Sequence, residues 1–263
     1  MKVTILQTDI TWDKPFENQK HVEELISTSE RSDVYVLPEM WSTGFNTSPD
    51  YAQDGASAYS SSDTVAWMAK MAAHYNAAIC GSLVVKTNEA FANRFYFVTP
   101  GGNCYTYDKR HLFTPGGEGK CYEKGKERVI VHFRGMRFLL QICYDLRFPV
   151  WSRNNEDYDA AIYVANWPSS RHNVWTTLLK ARAIENQCYV IGVNRVGNDK
   201  QCLYKGGSMI VSPYGSEIVS CGCDEETVQA ELDMEKLEKF RNTFPVLKDR
   251  DITVLDKENG MFA

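Results

Sequence analysis

The chain alternates between strand-like and helix-like hydrophobic periods, and this alternation restricts its fold more than any other feature. "KVTILQTD" (2–9) reads as a strand, "FENQKHVEELISTSE" (16–30) as an amphipathic helix and "DVYVLPE" (33–39) as a buried strand. "SSDTVAWMAKMAAHY" (61–75) is a second helix, with Asp63 placed to cap it. Three strand candidates follow, "AAICGSLVV" (77–85), "RFYFVTP" (94–100) and "NCYTYDK" (103–109), the last two joined by the turn "PGGN". Past the glycine-rich loop "TPGGEGKCYEKGKE" (114–127), "RVIVHF" (128–133) and "MRFLLQIC" (136–143) face each other across Arg134 and Gly135. Strand and helix then alternate again in "YDAAIYVAN" (158–166), "HNVWTTLLKARAIENQ" (172–187) and "CYVIGVNRVG" (188–197). The remaining elements are the strands "GGSMIVSPYG" (206–215), "SEIVSC" (216–221) and "TVQAELD" (227–233) and the short helix "MEKLEKFRN" (234–242). Helices interleaved with strands, some of them directly adjacent, predict an α/β layered fold with mixed sheets. No linker interrupts the 263 residues, and 43% hydrophobic content is ample for one core, so a single domain with a polar C-terminal arm from about residue 243 is expected.

The net charge of −5, with basic residues scattered rather than blocked, argues against nucleic acid and anionic membrane surfaces as partners. The opening "MKVTILQTDITWD" meets Asp9 and Asp13 too early for a signal peptide, and no apolar run approaches a membrane span. Eight cysteines could form four disulfides. Several sit inside apolar runs and no export signal precedes them, so reduced thiols in the cytoplasm are expected. Cys221 and Cys223 in "CGCDEE" lack a matching His or Cys cluster, which predicts a surface loop and no metal.

Three reactive side chains share one position type, just past the end of a strand: Glu39 after "DVYVL", Lys109 after "NCYTYD" and Cys143 after "RFLLQI". In open α/β sheets, sites form in the crevice beyond strand ends, so an acid, an amine and a thiol could converge there. A thiol attacks as thiolate and needs a base or a positive field. A carboxylate in a water-poor setting can be that base, and Glu39 lies beside Pro38, Met40 and Trp41. Lys109 could favour the thiolate and stabilise an oxyanion, with the Tyr144 N–H as a second donor. Each residue alone also has an ordinary reading, a core cysteine or a surface charge. The rival cysteine–histidine scheme has only His111 and His172 in places that could reach the thiol, and no papain-like or caspase-like signature surrounds the cysteine.

"LPEMWSTGF" around Glu39, "YDKRHLF" around Lys109 and "QICYDLRFP" around Cys143, together with "ANWPSSR", "KARAIENQCYV" and "GGSMIVSPYG", resemble the nitrilase superfamily of carbon–nitrogen hydrolases from residue 2 to about 235. The resemblance implies a four-layer αββα sandwich of two mixed sheets, usually paired as a homodimer, with no metal or organic cofactor. It also implies roles: Glu39 as general base, Lys109 as oxyanion stabiliser, Cys143 as nucleophile and Glu118 in "TPGGEGK" as a second site glutamate. Tyr144 and Asp145 stand where true nitrilases carry Trp and Glu, which favours an amidase or carbamoylase. "CYDLRFP" with "NWPSSR" and "ARAIENQ" most resembles the omega-amidase branch, whose substrates are 2-oxoglutaramate and 2-oxosuccinamate.

Such substrates carry a distal carboxylate. A bidentate cation is therefore expected in the pocket, Arg147 or Arg171, although Arg147 has a structural alternative in an ion pair with Asp145. Trp41, Phe45, Tyr144 and Trp167 are candidates for an aromatic wall, and Arg182 with Glu185 for a structural pair on one helix. The expectation is thus an amidohydrolase of small carboxylate-bearing amides, working through a cysteine thioester. Its alternatives are an N-carbamoyl amino acid or carbamoyl-amine hydrolase and a catalytically silent binding protein of the same fold.

Overall fold

The computed structural model describes residues 1–47, 49, 61–88 and 90–251. Its strands are β1 (Lys2–Gln7), β2 (Val34–Val36), β3 (Ala78–Lys86), β4 (Phe91–Val98), β5 (Cys104–Asp108), β6 (Ile130–Phe133), β7 (Met136–Ile142), β8 (Ala160–Ala165) and β9 (Tyr189–Asn194). They continue with β10 (Val196–Asn198), β11 (Leu203–Lys205), β12 (Met209–Val211), β13 (Glu217–Ser220) and β14 (Glu226–Glu231). The helices are α1 (Pro15–Thr28), α2 (Ser61–Tyr75), α3 (His172–Asn186) and α4 (Met234–Thr243). Two six-stranded sheets result, β14-β1-β2-β3-β4-β5 and β13-β12-β9-β8-β7-β6, with β10 and β11 as a separate hairpin. Both sheets repeat one pattern of directions. A parallel trio, β1-β2-β3 in one and β7-β8-β9 in the other, has one antiparallel strand on one side and, on the other, an antiparallel strand followed by one that again runs with the trio.

The unbroken apolar runs follow from burial on both faces. Along β2, Val34 and Val36 enter the core between the sheets, while Tyr35 and then Leu37 face α1 and α2. Along β7, Phe138, Leu140 and Ile142 point between the sheets and Leu139 points to α3. Val22 and Ile26 of α1 and Met68, Met71 and Ala72 of α2 cover the first sheet, and Trp175, Leu179 and Ala183 of α3 cover the second. Each such fully buried Val, Leu, Ile or Met side chain contributes about 1.5–3 kcal/mol. The layers are therefore helix, sheet, sheet, helix, as the resemblance implied.

Local chemistry sets the boundaries. Pro15 opens α1, where a missing N–H costs nothing, and Asp233 caps α4 by accepting from the Lys236 N–H at 3.0 Å. Arg134 and Gly135, both at positive φ, make the tight β6–β7 turn.

Four expectations need correction. The strand 188–197 stops at Asn194, because Arg195 buries its guanidinium against Asp9 at 2.7 Å and the chain turns into the β10–β11 hairpin. Asp63 lies inside the first turn of α2, where its charge complements the helix dipole, and does not precede it as a cap. Cys221 belongs to the core between the sheets, and only Cys223 of that pair is exposed. The arm begins docked: residues 246–249 form a 3-10 turn with Leu247 buried, Arg250 bonds Asn155, and residues 252–263 lie outside the described part. Among the described residues no helix is long and apolar enough to cross a membrane.

Candidate active site

The two parallel trios bring the reactive groups together. Glu39 follows β2 and Lys109 follows β5, which runs parallel to β3; Cys143 follows β7 and Asn166 follows β8. All four sit beyond C-terminal strand ends, the crevice that α/β sheets use for sites. Backbone geometry aims them. Cys143 has φ 43°, and Met40, next to Glu39, has φ 45°, left-handed values that non-glycine residues adopt only when their surroundings enforce them. Lys109 is gripped through its backbone: its N–H donates to Asn93 O at 3.0 Å, and its carbonyl accepts from the Gly125 N–H at 2.9 Å. Only glycine fits position 125, since a Cβ there would lie 1.9 Å from Asp108 O.

Behind the thiol, Glu39, Lys109 and Glu118 are fully buried. Lys109 Nζ donates to Glu39 Oε1 at 2.8 Å and to Glu118 Oε2 at 2.9 Å. Asn93 Nδ2 bridges the same two carboxylates at 2.7 and 3.1 Å. The Asn166 N–H donates to Glu39 Oε2 at 2.8 Å, and the Phe113 N–H to Glu118 Oε2 at 2.6 Å. Burial alone would discharge the ammonium, but Glu118 and Glu39 outweigh it and hold Lys109 protonated, above its ordinary range. Burial also raises Glu118, Lys109 opposes that rise and Glu39 adds to it. The Cys143 thiol is pushed well up, first by burial and next by Glu39, with which it shares a hydrogen bond, while Lys109 pulls it down. The resting sulfur is therefore a neutral thiol beside a base, with a fixed ammonium beside both.

Cys143 opens a 3-10 turn, Cys143–Arg147, in which the Tyr144 N–H is a first-turn donor with no partner inside the helix. Asp145 is fully buried and holds this turn: it accepts from the Ile142 N–H, Tyr107 O–H, and both the backbone and ring N–H of His111. Arg182 reaches from α3 to the Leu146 carbonyl at 2.6 Å while pairing with Glu185 at 2.8 Å, the structural pair expected for "ARAIEN". His111 also stacks on Phe148 at 3.9 Å, and neither it nor His172 lines the cavity above the thiol.

That cavity, about 340 Å³, is lined by Cys143, Tyr144, Arg147, Asn166, Trp167, Arg171, Phe45, Phe113 and the tip of the β10–β11 hairpin. Asp145 is occupied elsewhere, so Arg147 is not its ion-pair partner. Instead the Arg147 guanidinium lies 5.2 Å from the Trp167 ring, and that of Arg171 lies 5.3 Å from the Phe113 ring. Neither arginine has a carboxylate partner among the described residues. Phe45 covers the Lys109 ammonium at 5.4 Å. Trp41 is the exception among the aromatic candidates: fully buried, it packs on Trp67 in the core under α2 and does not reach the cavity.

Sequence reasoning missed Asn93, Asn166 and the hairpin. A signal existed for the asparagines, since Asn93 interrupts an apolar strand and Asn166 occupies the same post-strand position as the other reactive groups.

A cysteine, a lysine and paired carboxylates at the strand ends of an αββα sandwich define a carbon–nitrogen hydrolase. The profile of the family "Carbon-nitrogen hydrolase" matches residues 2–242, and the chain belongs to that family. Among particular proteins, it is similar to omega-amidase YafV of Escherichia coli (strain K12), 45% identical over 253 residues that cover 95% of this chain and 97% of that protein. A 2-oxoglutaramate amidase of Bacillus subtilis (strain 168) is 36% identical over 259 residues, covering 95% and 98%. A solved CN-hydrolase superfamily structure from Xanthomonas campestris, with an arsenic adduct in its active site, superposes with a TM-score of 0.90 at 39% identity, covering 97% and 98%.

Proposed function

We propose that the protein hydrolyses the side amide of small 2-oxo acid amides of the 2-oxoglutaramate and 2-oxosuccinamate type, releasing ammonia through a thioester on Cys143. The observation that carries this reading is the buried Glu39–Lys109–Glu118 set beside the thiol, beneath a cavity bordered by two arginines without carboxylate partners among the described residues. The names of the relatives add the substrate class.

Glu39 takes the thiol proton as sulfur attacks the amide carbonyl, which suits a thiol kept neutral until that moment. The Lys109 ammonium and the Tyr144 N–H receive the oxyanion. The protonated Glu39 then gives its proton to the leaving ammonia. Water, deprotonated by the same carboxylate and positioned by Glu118, hydrolyses the thioester and restores the thiol. Arg147, placed over Trp167, takes the distal carboxylate, with Arg171 on the same cavity wall. Tyr144, Trp167 and Phe45 limit the substrate's width. The scheme uses no metal or organic cofactor.

The reading extends to a cytoplasmic homodimer. Eight unpaired cysteines support the compartment, and the ring cluster of exposed Tyr214 and Phe244 around half-buried Phe240 supports the pairing. Light scattering on the purified protein tests the latter.

For the chemistry, ammonia and carbon dioxide are measured on a panel of 2-oxo acid amides, plain amides, carbamoyl compounds and nitriles, with Cys143→Ala alongside. Ammonia alone, from the 2-oxo acid amides, and none from the variant is the expected result. Turnover by Cys143→Ala overturns the thioester, and carbon dioxide release from carbamoyl compounds moves the substrate class to the carbamoylases.

A further inference from the structure

We infer that Asp145 is a positioning residue that fixes the separation between the Lys109 ammonium and the Cys143 thiol. The inference rests on the roles proposed above for those two residues. The two groups come from different sheets, Lys109 from the end of β5 and Cys143 from the end of β7. Nothing in the strand pairing sets their distance, because β5 and β7 share no ladder.

Asp145 supplies the missing link, and it divides its two oxygens evenly. Oδ1 accepts from the backbone N–H of His111 at 2.9 Å and from its ring Nδ1–H at 2.8 Å. Oδ2 accepts from the Tyr107 O–H at 2.8 Å and from the Ile142 N–H at 3.0 Å. Tyr107 and His111 stand two residues before and two residues after Lys109, and Ile142 immediately precedes Cys143. One buried carboxylate thus straddles the lysine on both sides and holds the residue next to the nucleophile.

The surroundings leave the group no other task. Asp145 is fully buried and does not line the cavity, so it meets no substrate. The His111 ring meets Asp145 Oδ1 through its Nδ1 edge and stacks one face on Phe148, so it is occupied there rather than aimed at the thiol. The Tyr107 oxygen is fixed in turn by the Trp151 Nε1–H at 3.0 Å and the Arg110 N–H at 3.2 Å. On the nucleophile's side, Arg182 clamps the Leu146 carbonyl at 2.6 Å. The link is rigid at both ends, as a spacer must be.

The test compares Asp145→Asn, Tyr107→Phe and His111→Phe with the unaltered enzyme on one 2-oxo acid amide. Folded protein is collected as its size-exclusion peak and active sites are counted as moles of that protein, so that unfolded molecules do not enter the rate. An amide has one accepting oxygen, so Asp145→Asn turns an NH2 toward either the His111 or the Ile142–Tyr107 pair. A misplacement of about 1 Å costs about 100-fold, so kcat per site falls by about 100-fold with KM within about twofold, the mark of an interaction felt in the transition state. Tyr107→Phe and His111→Phe each remove one side-chain donor while leaving an aromatic ring in place, and lower kcat by roughly 3- to 10-fold, again at constant KM. The inference is overturned by folded Asp145→Asn with unaltered kcat per site, or by KM rising as kcat falls. If Asp145→Asn does not fold, unaltered kcat in both ring variants overturns it equally. Cys143→Ala runs as control: turnover there defeats the nucleophile assignment, whereas a dead control beside a fully active Asp145→Asn defeats the positioning role alone.

Discussion

Replacing Lys109 by methionine keeps most of the side-chain stem and deletes one charge from a sealed site. In the native protein that ammonium lies 2.8 Å from Glu39 Oε1 and 2.9 Å from Glu118 Oε2. Without it, two buried carboxylates remain within reach of the single Asn93 amide nitrogen, at 2.7 and 3.1 Å. Carboxylates roughly 5 Å apart repel by about 3 kcal/mol at an effective dielectric constant near 20. That energy favours the neutral form, and one carboxyl takes up a proton instead of bearing it. Glu118 is the group to do so, since burial already raises it and Lys109 is what opposes the rise. The sign of the pH effect follows. A carboxyl raised in the folded state favours folding when protonated, so Lys109→Met is most stable in acid and loses stability as the pH climbs through the folded value.

Between pH 5 and 8 the expected loss is about 3 kcal/mol, or about 6–10 °C in melting temperature for a chain of this size. Melts at half-unit pH steps measure it, with the unaltered protein as the flatter reference. Lys109→Met combined with Glu118→Gln removes the like charge and restores the neutral-pH melting temperature. It does not restore kcat, which falls by about 100- to 1,000-fold in both variants when the oxyanion loses its cation. A Lys109→Met melting temperature that ignores pH, or a kcat within tenfold of the original, would refute the reasoning.

Arg147→Met lowers kcat/KM for 2-oxo acid amides by about 10- to 100-fold, the loss of one charged hydrogen-bonding partner, and leaves a neutral aliphatic amide unaffected; steady-state ammonia assays on the two substrates check the contrast. Gly125→Ala forces a methyl group into the Asp108 carbonyl, costs about 1–3 kcal/mol or more in urea denaturation, and slows turnover because the Lys109 loop must shift.

The order of strands and helices was legible because each run carries its period. β7, with apolar residues on both faces, and α1, with its buried stripe at Pro15, Asn18, Gln19, Val22 and Ile26, each declare one geometry. The short β10–β11 hairpin was not, since Val196 resumes the apolar pattern with only Asn194 and Arg195 between it and Val193, and only the burial of Arg195 against Asp9 explains the break at Asn194. In the site, Glu39, Lys109 and Cys143 showed themselves by their shared place after strands. Trp41 misled because adjacency in sequence to Glu39 says nothing about direction: Glu39 points toward Lys109, and Trp41 toward Trp67. Asp145 stood two residues from the nucleophile and looked like a partner for Arg147. Only the fold brings Tyr107 and His111 to it, and no local spacing encodes that meeting.

The first strand acquires its outer neighbour last. β14 pairs along the whole of β1, from Lys2 with Glu231 to Gln7 with Glu226, and the amino group of Met1 bonds the Leu232 carbonyl 231 residues away. At ribosomal speeds of about 5–20 residues per second, β1 therefore waits roughly 11 to 46 seconds for that partner. Throughout this interval the growing chain presents an unpaired strand edge, the surface on which β proteins aggregate. Sheet closure thus waits on the synthesis of β14, and a nascent chain released before β14 emerges carries Glu39, Lys109 and Cys143 without the completed sheet that supports them.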